Sequence, residues 1–324
     1  MIITRIELLK EKIRLLKAKG MPTDDYEAEL AELCERAKQY PRISELSDMQ
    51  WIIEGILAEK GITIIGGLTD TGKTTLSLQL CGCLIEQQPF LGIVSQTRVN
   101  LIAYACLDQS TGMLKDQVMK MERVFPSIAQ MRVITDITWN GRVILGLTEA
   151  IEFLQPQIIV IDALNALLGT ADENIAMGPI MREFRRINEK YGTSLIIPHQ
   201  FRKPPVNGVF KAEPTAQDFR GSTEIGAKAE VLLALQRMGL EVRVKSVKSK
   251  SVNKVDLELR QDPVTLIYSV CVSRVERMRK LLNEGMSPKD VIEVIYEEYG
   301  GNWNSIKTMV YREKREMEES GNDA

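Results

Sequence analysis

The stretch that decides the fold runs from Ile62 to Thr75 and reads Ile-Thr-Ile-Ile-Gly-Gly-Leu-Thr-Asp-Thr-Gly-Lys-Thr-Thr. An apolar, β-branched run, typical of a buried strand, breaks there into Gly67-x-x-x-x-Gly72-Lys73-Thr74. Glycines let a loop curl its backbone N–H groups around phosphates, because they adopt positive φ and carry no Cβ. The next residues place apolar side chains on a helical stripe, so a helix N-terminus would point at the phosphates. The stretch therefore predicts a strand, a phosphate-binding loop and a helix, in that order.

The side chains of this loop predict the ligands. Lys73 is expected to reach the β and γ phosphates of ATP, and the Thr74 hydroxyl to ligate Mg²⁺. A chance glycine-rich turn is the alternative, and the strand and helix on either side argue against it. The expected nucleotide contacts are Gly67, Leu68, Thr69, Asp70, Thr71, Gly72, Lys73, Thr74 and Thr75.

Composition limits the other possibilities. The chain has 324 residues, 44% of them hydrophobic, which predicts one large domain with one or two small ones. It contains no apolar stretch of membrane-spanning length, and its first residues mix charges with Leu and Ile, unlike a signal peptide. An odd number of cysteines without a Cys/His cluster indicates reduced thiols in a cytoplasm. A net charge of −2 gives no global attraction to nucleic acid, so any such contact needs a local patch.

The pattern divides the chain into three parts. Residues 1–47 predict two helices, Glu7–Lys19 and Asp24–Gln39, which either pack on a neighbour as a hairpin or form a solvated arm. Residues 48–273 alternate short β-branched runs with helical stretches, which predicts an α/β fold with a mostly parallel sheet. Residues 274–324 are helical again.

Acids follow two of the predicted strands. Asp108 comes after the strand Val99–Leu107, and Asp162 ends the strand 157–162. Open α/β sheets bind ligands at the carboxyl ends of their strands, so Asp108 is a candidate to activate the water that attacks the γ phosphate. Its alternative role is to cap a helix over Thr111–Val124. Asp162 is the expected acid partner of Mg²⁺.

A fourth predicted strand, Ser194–Ile197, leads to His199 and Gln200 at the same edge of the sheet. Polar groups there could sense the γ phosphate and pass its presence to the loop that follows. That loop, residues 201–219, is punctuated by Pro and Gly and is too long for a simple connection. It is a candidate polymer-binding element, with disorder as the alternative, and its basic residues are Arg202, Lys203 and Lys211.

The ordered set of motifs resembles a known family. Around the phosphate loop it comprises Trp51-Ile-Ile-Glu-Gly55, Leu107-Asp-Gln-Ser110, Ile161-Asp-Ala-Leu164 with Asp172-Glu-Asn174, His199-Gln-Phe-Arg-Lys203 and Arg220-Gly-Ser-Thr223. Together, over roughly residues 48 to 270, they look like the RecA-like ATPases of the plasmid replicative helicase (RepA) group, relatives of the DnaB-type hexameric helicases.

The resemblance implies a RecA-like P-loop core that assembles into a ring, commonly a hexamer, with ATP at each subunit interface and single-stranded DNA in the central channel. It places Asp108 where the catalytic glutamate stands, makes Asp162 the Mg²⁺-associated aspartate and makes Gln200 the sensor. The residues expected to contact DNA in this part of the chain are Arg202, Lys203, Lys211 and Arg220.

The same resemblance gives a role to the basic run from Val242 to Lys250. In the helicase relatives a Lys-x-Arg pair on a late strand reaches the γ phosphate of the neighbouring subunit, and the matching residues here are Lys248 and Lys250. Lys lacks the bidentate fork of Arg, and Asp108 is one methylene shorter than Glu, so weak or regulated turnover is expected. The alternative is an ordinary amphipathic strand with solvated lysines.

The last part predicts a small helix-turn-helix module. Helices are expected over Arg274–Glu284, over Lys289–Tyr299 and from Trp303 or Ser305 onward, with a shared apolar core. A basic third helix behind a turn is the arrangement that enters the major groove of DNA. A protein-docking bundle is the alternative, because the segment is also rich in Glu. The basic residues expected on one exposed surface are Lys307, Arg312, Lys314 and Arg315.

Two functions from different classes follow. The first is a Mg²⁺-dependent ATP hydrolase acting on DNA, a hexameric replicative helicase or translocase of a plasmid or phage type. The second is an ATP-gated DNA-binding or assembly protein with little or no strand separation. A P-loop kinase is disfavoured, because no Arg-rich lid segment follows the loop.

Overall fold

The computed structural model describes residues 2–37, 43–45, 47–140, 144–168, 173–202, 213–219, 222–238, 241–271, 274–299 and 302–321. The chain divides into two compact units, residues 1–50 and 51–324. The boundaries near residues 47 and 273 drawn from the sequence stay predictions. None of the described helices is both long enough and apolar enough to cross a membrane.

The first unit is a helical hairpin of α1 (Ile2–Ala18) and α2 (Asp24–Ala37). Ile6, Leu9 and Ile13 are buried on the inner side of α1. Ion pairs link the two helices, one of them from Lys17 to Glu27 at 2.8 Å. Both predicted helices are thus confirmed, with ends shifted by a few residues.

The second unit carries the remaining elements. Its strands are β1 (Trp51–Ile53), β2 (Leu57–Ala58), β3 (Ile62–Gly67), β4 (Ile102–Cys106), β5 (Arg132–Ile134), β6 (Thr138–Trp139), β7 (Ile144–Leu145), β8 (Ile158–Asp162), β9 (Ser194–Gln200), β10 (Val231–Met238), β11 (Glu241–Ser249), β12 (Asp256–Gln261) and β13 (Tyr268–Val270). Its helices are α3 (Lys73–Ile85), α4 (Thr111–Met121), α5 (Leu147–Leu154), α6 (Leu164–Leu168), α7 (Glu173–Tyr191), α8 (Ser222–Lys228), α9 (Arg274–Asn283), α10 (Pro288–Tyr299) and α11 (Trp303–Gly321).

In the described part of the chain, nine strands form one sheet in the order β13-β12-β11-β10-β3-β9-β8-β4-β5. The strands from β10 to β5 run parallel, and β11, β12 and β13 extend the sheet antiparallel. Parallel strands end at the same edge, so the carboxyl ends of β3, β9, β8 and β4 lie side by side. The predicted α/β fold with a mostly parallel sheet is confirmed.

Two hydrophobic cores cover the two faces of this sheet. Helices α3 and α4 pack on one face, where Ile65 of β3 joins Leu76 and Leu114. Helices α5 and α7 cover the other face, where Ile64 of β3 joins Ile151 and Phe184. Every residue of β3, β4 and β8 is buried, which is why these segments appear in the sequence as unbroken apolar runs.

One predicted strand proved too short. Strand β9 continues past Ile197 through Pro198 to Gln200, although proline cannot donate a bond to a neighbouring strand. The pairing with β8 ends at Ile196, so Pro198 lies where β9 keeps only β3 as its partner. The longer strand carries His199 and Gln200 up to the carboxyl edge of the sheet.

The C-terminal helices have a core of their own. Helices α9, α10 and α11 bury a set of apolar side chains: Met278, Leu281, Val291, Ile292, Ile295, Ile306 and Val310. The three helices predicted from the sequence are confirmed, and the third begins at Trp303.

Gly82 in α3 provides a test of the packing. An added Cβ would lie 2.4 Å from the Phe125 ring, so Gly82→Ala overpacks the core. We expect the free energy of unfolding to fall by about 1–3 kcal/mol, measured by urea denaturation. The matched control is Gly112→Ala, at an exposed position of α4 where the added Cβ meets nothing closer than 3.8 Å. That change should stabilise by up to about 1 kcal/mol through helix propensity. Equal effects of the two changes would contradict close packing at Gly82.

Candidate functional site

The phosphate loop lies between β3 and α3 and depends on two glycines. A Cβ at Gly67 would lie 2.5 Å from Oγ1 of Thr71, and a Cβ at Gly72 would lie 1.9 Å from Oη of Tyr268. Gly72 also has a φ of 87°, which favours glycine. The loop closes on itself through a hydrogen bond from Thr71 Oγ1 to the Leu68 carbonyl at 2.8 Å. The predicted order of strand, loop and helix is confirmed, and the backbone N–H groups at the start of α3 are directed as an anion site requires.

Lys73 is held inside this loop. Its Nζ donates a hydrogen bond to the Leu68 carbonyl at 2.6 Å. Burial lowers the pKa of Lys73, and the charges of Asp162, Asp70 and Asp108 oppose that effect. A phosphate oxygen would offer this ammonium a charged acceptor in place of a carbonyl, which makes a stronger hydrogen bond. The geometry therefore suits Lys73 to bind a polyphosphate.

Asp162, at the end of β8, joins three elements through one oxygen. Its Oδ2 accepts a hydrogen bond from Thr74 Oγ1 at 2.7 Å and another from Tyr104 Oη at 2.6 Å. Burial raises the pKa of the Asp162 carboxyl, and the two hydroxyl donors oppose that rise. A buried carboxylate needs such donors, because an unpaired buried charge is very costly. The arrangement joins α3, β8 and β4 at the site.

This donor set fits a magnesium ion. Mg²⁺ takes oxygen ligands, keeps several waters and binds through one or two protein groups plus phosphates. A Thr74 hydroxyl that donates its hydrogen to Asp162 keeps its lone pairs for a cation, and Asp162 can hold a water in the shell of that cation. The residues that could hold the metal are therefore the two predicted, Thr74 and Asp162.

Asp108 lies beside this pair at the carboxyl edge. The backbone N–H groups of Leu107 and Asp108 donate to the Asp162 carbonyl at 2.7 and 3.3 Å. The Asp108 side chain is exposed, and its charge acts on both Lys73 and Asp162. The alternative role as a helix cap is wrong, because Ser110 caps α4 by accepting a bond from the Met113 N–H. Asp108 thus does not cap α4 and lies at the carboxyl edge of the sheet, beside the phosphate loop.

Gln200 ends β9 directly beside the loop. It pairs in register with Gly67, and the N–H of Phe201 donates to the Gly67 carbonyl at 3.0 Å. His199 precedes it and is fully buried. The structure thus places Gln200 on the same edge as Asp108 and Asp162, as predicted, while the part it would play as a sensor stays a prediction.

The long loop after β9 begins and ends against the strand that leads into the phosphate loop. Phe201 bridges to Phe219, and their rings meet edge to face with centroids 4.9 Å apart. A Cβ at Gly66 would lie 2.3 Å from the Phe219 ring and 2.6 Å from the Phe201 ring. A cleft of about 370 Å³ opens between this base and the phosphate loop, lined in part by Leu68 and Arg237. The base of the long loop thus packs directly on β3, at the residue before Gly67.

Several predicted residues lie outside the described part of the chain. Among the expected DNA contacts these are Lys203, Lys211 and Arg220, and among the motif residues Asp172 and Gly221. Arg202 is described, exposed, and donates its backbone N–H to the Asp218 carbonyl at 2.7 Å.

Lys248 and Lys250 lie at the opposite end of the sheet from the phosphate loop. Lys248 pairs with Leu232 near the start of β10, whereas Gly67 pairs with Leu235. Because β11 runs antiparallel to β10, its last residues and Lys250 reach the amino edge of the parallel strands. Neither lysine is placed to reach the nucleotide site of its own chain.

The two lysines are not merely solvated, so the amphipathic-strand alternative is wrong in that respect. Lys248 Nζ donates to the carbonyls of Gly226 and Ala229 at 2.5 and 2.6 Å. Burial and the charge of Lys250 lower the pKa of Lys248. Lys250 is half exposed and forms an ion pair with Glu230 Oε1 at 3.0 Å. Lys248 thus holds the end of α8, while Lys250 keeps an accessible ammonium.

Glu230 is a buried acid at the amino edge of the sheet, where it joins Lys250 to the start of β3. Its Oε2 accepts the N–H of Ile62, the first residue of β3, at 2.8 Å. Its Oε1 accepts from Arg185 at 2.5 Å as well as from Lys250. Burial acts to raise the pKa of Glu230, but the Ile62 N–H, Arg185 and Lys250 outweigh it and hold the pKa below its usual range. The Glu230 carboxylate is shared by Lys250 and the first residue of β3, so a change in the position of Lys250 can alter the hydrogen bond that holds β3.

Sequence reasoning missed four residues of these sites. Tyr104 and Glu230 had a weak signal, since each is a polar group within a strongly apolar run. Arg237 and Tyr268 had no signal in the sequence, because only the order of strands in the sheet brings β10 and β13 near the phosphate loop. Arg237 donates two bonds to the Asp70 carbonyl at 3.1 and 3.3 Å, and Tyr268 packs under Gly72.

Comparison with known proteins identifies the family. A family model described as AAA domain matches residues 14–206, more than half of the chain. The chain belongs to the AAA domain family. No curated protein sequence matches it.

Two solved structures share the fold of this AAA domain protein. One is an isolated ATPase domain, which is 12% identical with a TM-score of 0.54, covering 76% of this chain and 98% of that chain. The other is a DnaB-like replicative helicase, which is 10% identical with a TM-score of 0.55, covering 83% of this chain and 75% of that chain. At such identities the likeness shows the fold alone, a RecA-like P-loop ATPase core.

The bond from Tyr104 to Asp162 generates a prediction. Tyr104→Phe removes one donor, so the pKa of Asp162 rises and the carboxylate protonates at a higher pH. We expect the acid limb of the ATPase pH profile to move to higher pH and the Mg²⁺ requirement to increase, while nucleotide binding in EDTA stays unchanged.

The matched control is Tyr191→Phe. That hydroxyl lies at the end of α7, away from the carboxyl edge of the sheet, and donates to Glu152 at 2.7 Å, so its removal should leave the pH profile in place. Identical profiles for Tyr104→Phe and the unaltered protein would show that Tyr104 only packs.

Proposed function

We propose that this AAA domain protein is a Mg²⁺-dependent ATPase acting on DNA, a hexameric replicative helicase or translocase of a plasmid or phage type. Within the AAA domain family we place it with the plasmid replicative helicase (RepA) group, on the motif order from Gly67 to Thr223. A cytoplasmic location is part of the proposal and rests on five cysteines that form no disulfide.

The observation that carries the proposal is the separation of Lys250 from the phosphate loop of its own chain. Four residue steps of parallel pairing, from Val231 to Leu235 along β10, span roughly 13 Å of sheet. The distance excludes the nucleotide of its own chain, so any γ phosphate that Lys250 contacts belongs to another subunit. An ATP site completed by a neighbour is what a ring or filament of identical subunits provides.

The reaction would be attack of water on the γ phosphorus, which breaks the bond to the β–γ bridging oxygen and yields ADP and phosphate. Asp108 accepts the proton of the attacking water, and Lys73 neutralises charge on the β and γ oxygens. Thr74 and Asp162 would hold Mg²⁺, which when bound would supply positive charge to offset that of the phosphates. Lys250 of the adjoining subunit would add a cation that only the assembled protein has.

Support for DNA as the partner comes from two directions. One of the solved structures that share the fold is a DnaB-like replicative helicase. The long basic loop between Phe201 and Phe219 starts beside Gln200, where the γ phosphate is expected. We propose that Arg202, Lys203, Lys211 and Arg220 contact single-stranded DNA, as the resemblance to the replicative helicases implies.

The second candidate is an ATP-gated DNA-binding or assembly protein. It is favoured by Asp108 and Lys250, which replace the Glu and Arg of the helicase relatives. It is also favoured by the Glu230 carboxylate, which holds Lys250 within its own chain and would compete with a phosphate. In this case nucleotide binding drives assembly and turnover is slow.

One experiment separates the two candidates. ATP turnover is measured with and without single-stranded DNA, together with displacement of an annealed strand. A helicase or translocase should show DNA-stimulated turnover, and the helicase should also separate strands. Nucleotide-dependent DNA binding without stimulation of turnover would indicate the second candidate.

Lys73→Ala should abolish nucleotide binding or turnover, and full turnover in that variant would exclude the phosphate loop as the site.

Lys250→Ala tests the role across the interface. We expect turnover to fall roughly 100-fold or more, while nucleotide binding by the isolated subunit is unchanged. The matched control is Lys254→Ala, an exposed lysine just beyond the same strand that should have no effect. Mixing the Lys73→Ala and Lys250→Ala proteins should restore part of the turnover, because an intact loop then meets an intact lysine. An inactive mixture that still forms mixed assemblies would contradict a shared site.

A further inference from the structure

We infer that helix α11 recognises the base sequence of duplex DNA, so that the chain carries a DNA site separate from its ATPase core. The inference goes beyond an ATPase that tracks along a single strand. It rests on the geometry of the C-terminal helices and on the side chains that α11 exposes.

The spacing of α10 and α11 along the chain suits a helix-turn-helix. Three residues, 300–302, separate the two helices in the sequence, and two of them are glycines, as is common in such motifs. Asn302 fixes the start of the helix, since its Oδ1 accepts the N–H of Ser305 at 3.1 Å. Trp303 lies edge to face with Tyr296 of α10 at a centroid distance of 5.2 Å. The first turn of α11 is therefore firmly placed against α10.

The inner side of α11 is anchored in the module. Ile306 and Val310 are buried in the three-helix core. Glu313 is also buried and accepts hydrogen bonds from Arg279 of α9 at 2.7 Å and from Arg312 at 3.1 Å. The one acidic residue between Asn302 and Arg315 thus has its charge compensated inside the module.

The outer side of α11 presents a reading face, which we define as Asn304, Lys307, Thr308 and Tyr311. Their spacing of three and four residues puts them on one side of the helix, and all four are exposed. They lie in the first turns of the helix, which are the turns that meet base edges in helix-turn-helix proteins. Arg315 extends this side by one more turn.

The chemistry of the reading face suits the major groove. An Asn side chain can pair with adenine, and Lys can donate to the acceptors of guanine. Thr308 Oγ1 donates to the Asn304 carbonyl at 2.9 Å, which leaves its methyl group to contact thymine. The face carries no carboxylate and no aliphatic side chain, so it resembles a nucleic-acid surface more than a protein-docking surface.

The test uses the full-length protein without nucleotide and a library of blunt-ended duplexes with randomised centres. Repeated selection should enrich a common site, and fluorescence anisotropy then compares that site with a scrambled duplex. Asn304→Ala should weaken binding to the selected site by roughly 5- to 150-fold and leave the scrambled duplex almost unchanged. Lys307→Ala should also weaken the selected site more than the scrambled duplex, because its contact is to a base.

Lys280→Ala is the matched control for Lys307→Ala. Lys280 is an exposed lysine on α9, 4.0 Å from Glu284, and its loss should leave duplex binding intact. Thermal unfolding should be the same for all variants, since each changed side chain is exposed.

Failure to enrich any site, or equal losses for Lys307→Ala and Lys280→Ala, would overturn the inference. Retention of a partner protein by α11 in place of duplex binding would overturn it as well. DNA-stimulated ATP turnover is measured on the unaltered protein in parallel. If the unaltered protein turns over ATP but selects no duplex site, only the inference about the reading face is refuted. If it selects a site but shows no turnover, only the proposed ATPase function is refuted.

Discussion

The Asp162 carboxylate is the group on which the nucleotide site depends. Its burial at the end of β8 would be prohibitive without donors, and Thr74 and Tyr104 supply them from α3 and β4. The same bonds fix the direction of the Thr74 lone pairs, which is where a cation would bind. Loop, strand and helix are thus joined by the requirement to satisfy one buried charge. The glycines at 67 and 72 meet a separate requirement, since a Cβ there would collide with Thr71 and Tyr268.

The parallel sheet separates the chemistry into two edges. Residues that bind the phosphates lie at the carboxyl edge, while Lys250, Arg185 and Glu230 meet at the amino edge. Glu230 also holds the N–H of Ile62, so the strand that ends in the phosphate loop begins at the ion pair of Lys250. If Lys250 left Glu230 to bind a phosphate of a neighbouring subunit, Glu230, which holds the first residue of β3, would lose one of its ion-pair partners. Such a link would let nucleotide binding at one subunit influence the phosphate loop of the next.

Much of this arrangement was predictable from residues alone. The loop, the two acids and the basic run could be found because each is a local pattern with a physical cause: glycines for positive φ, apolar runs for buried strands, acids at strand ends. Two predictions failed for different reasons. The helix cap is Ser110 rather than Asp108, which is a local error of two residues at a helix end. Pro198 lies within β9 because tertiary neighbours decide which backbone groups need a partner, and β8 no longer pairs there.

By itself, the sequence determined the existence of a phosphate site, the α/β class and the helices that flank it, since these depend on interactions between residues close in the chain. Only the tertiary structure decided that Tyr104 supports Asp162, that Arg237 holds Asp70 and that Lys250 faces away from its own loop. The reason is sheet order: the pairing of β10 with β3 and of β4 with β8 joins segments far apart in sequence, and no local pattern encodes which strands become neighbours.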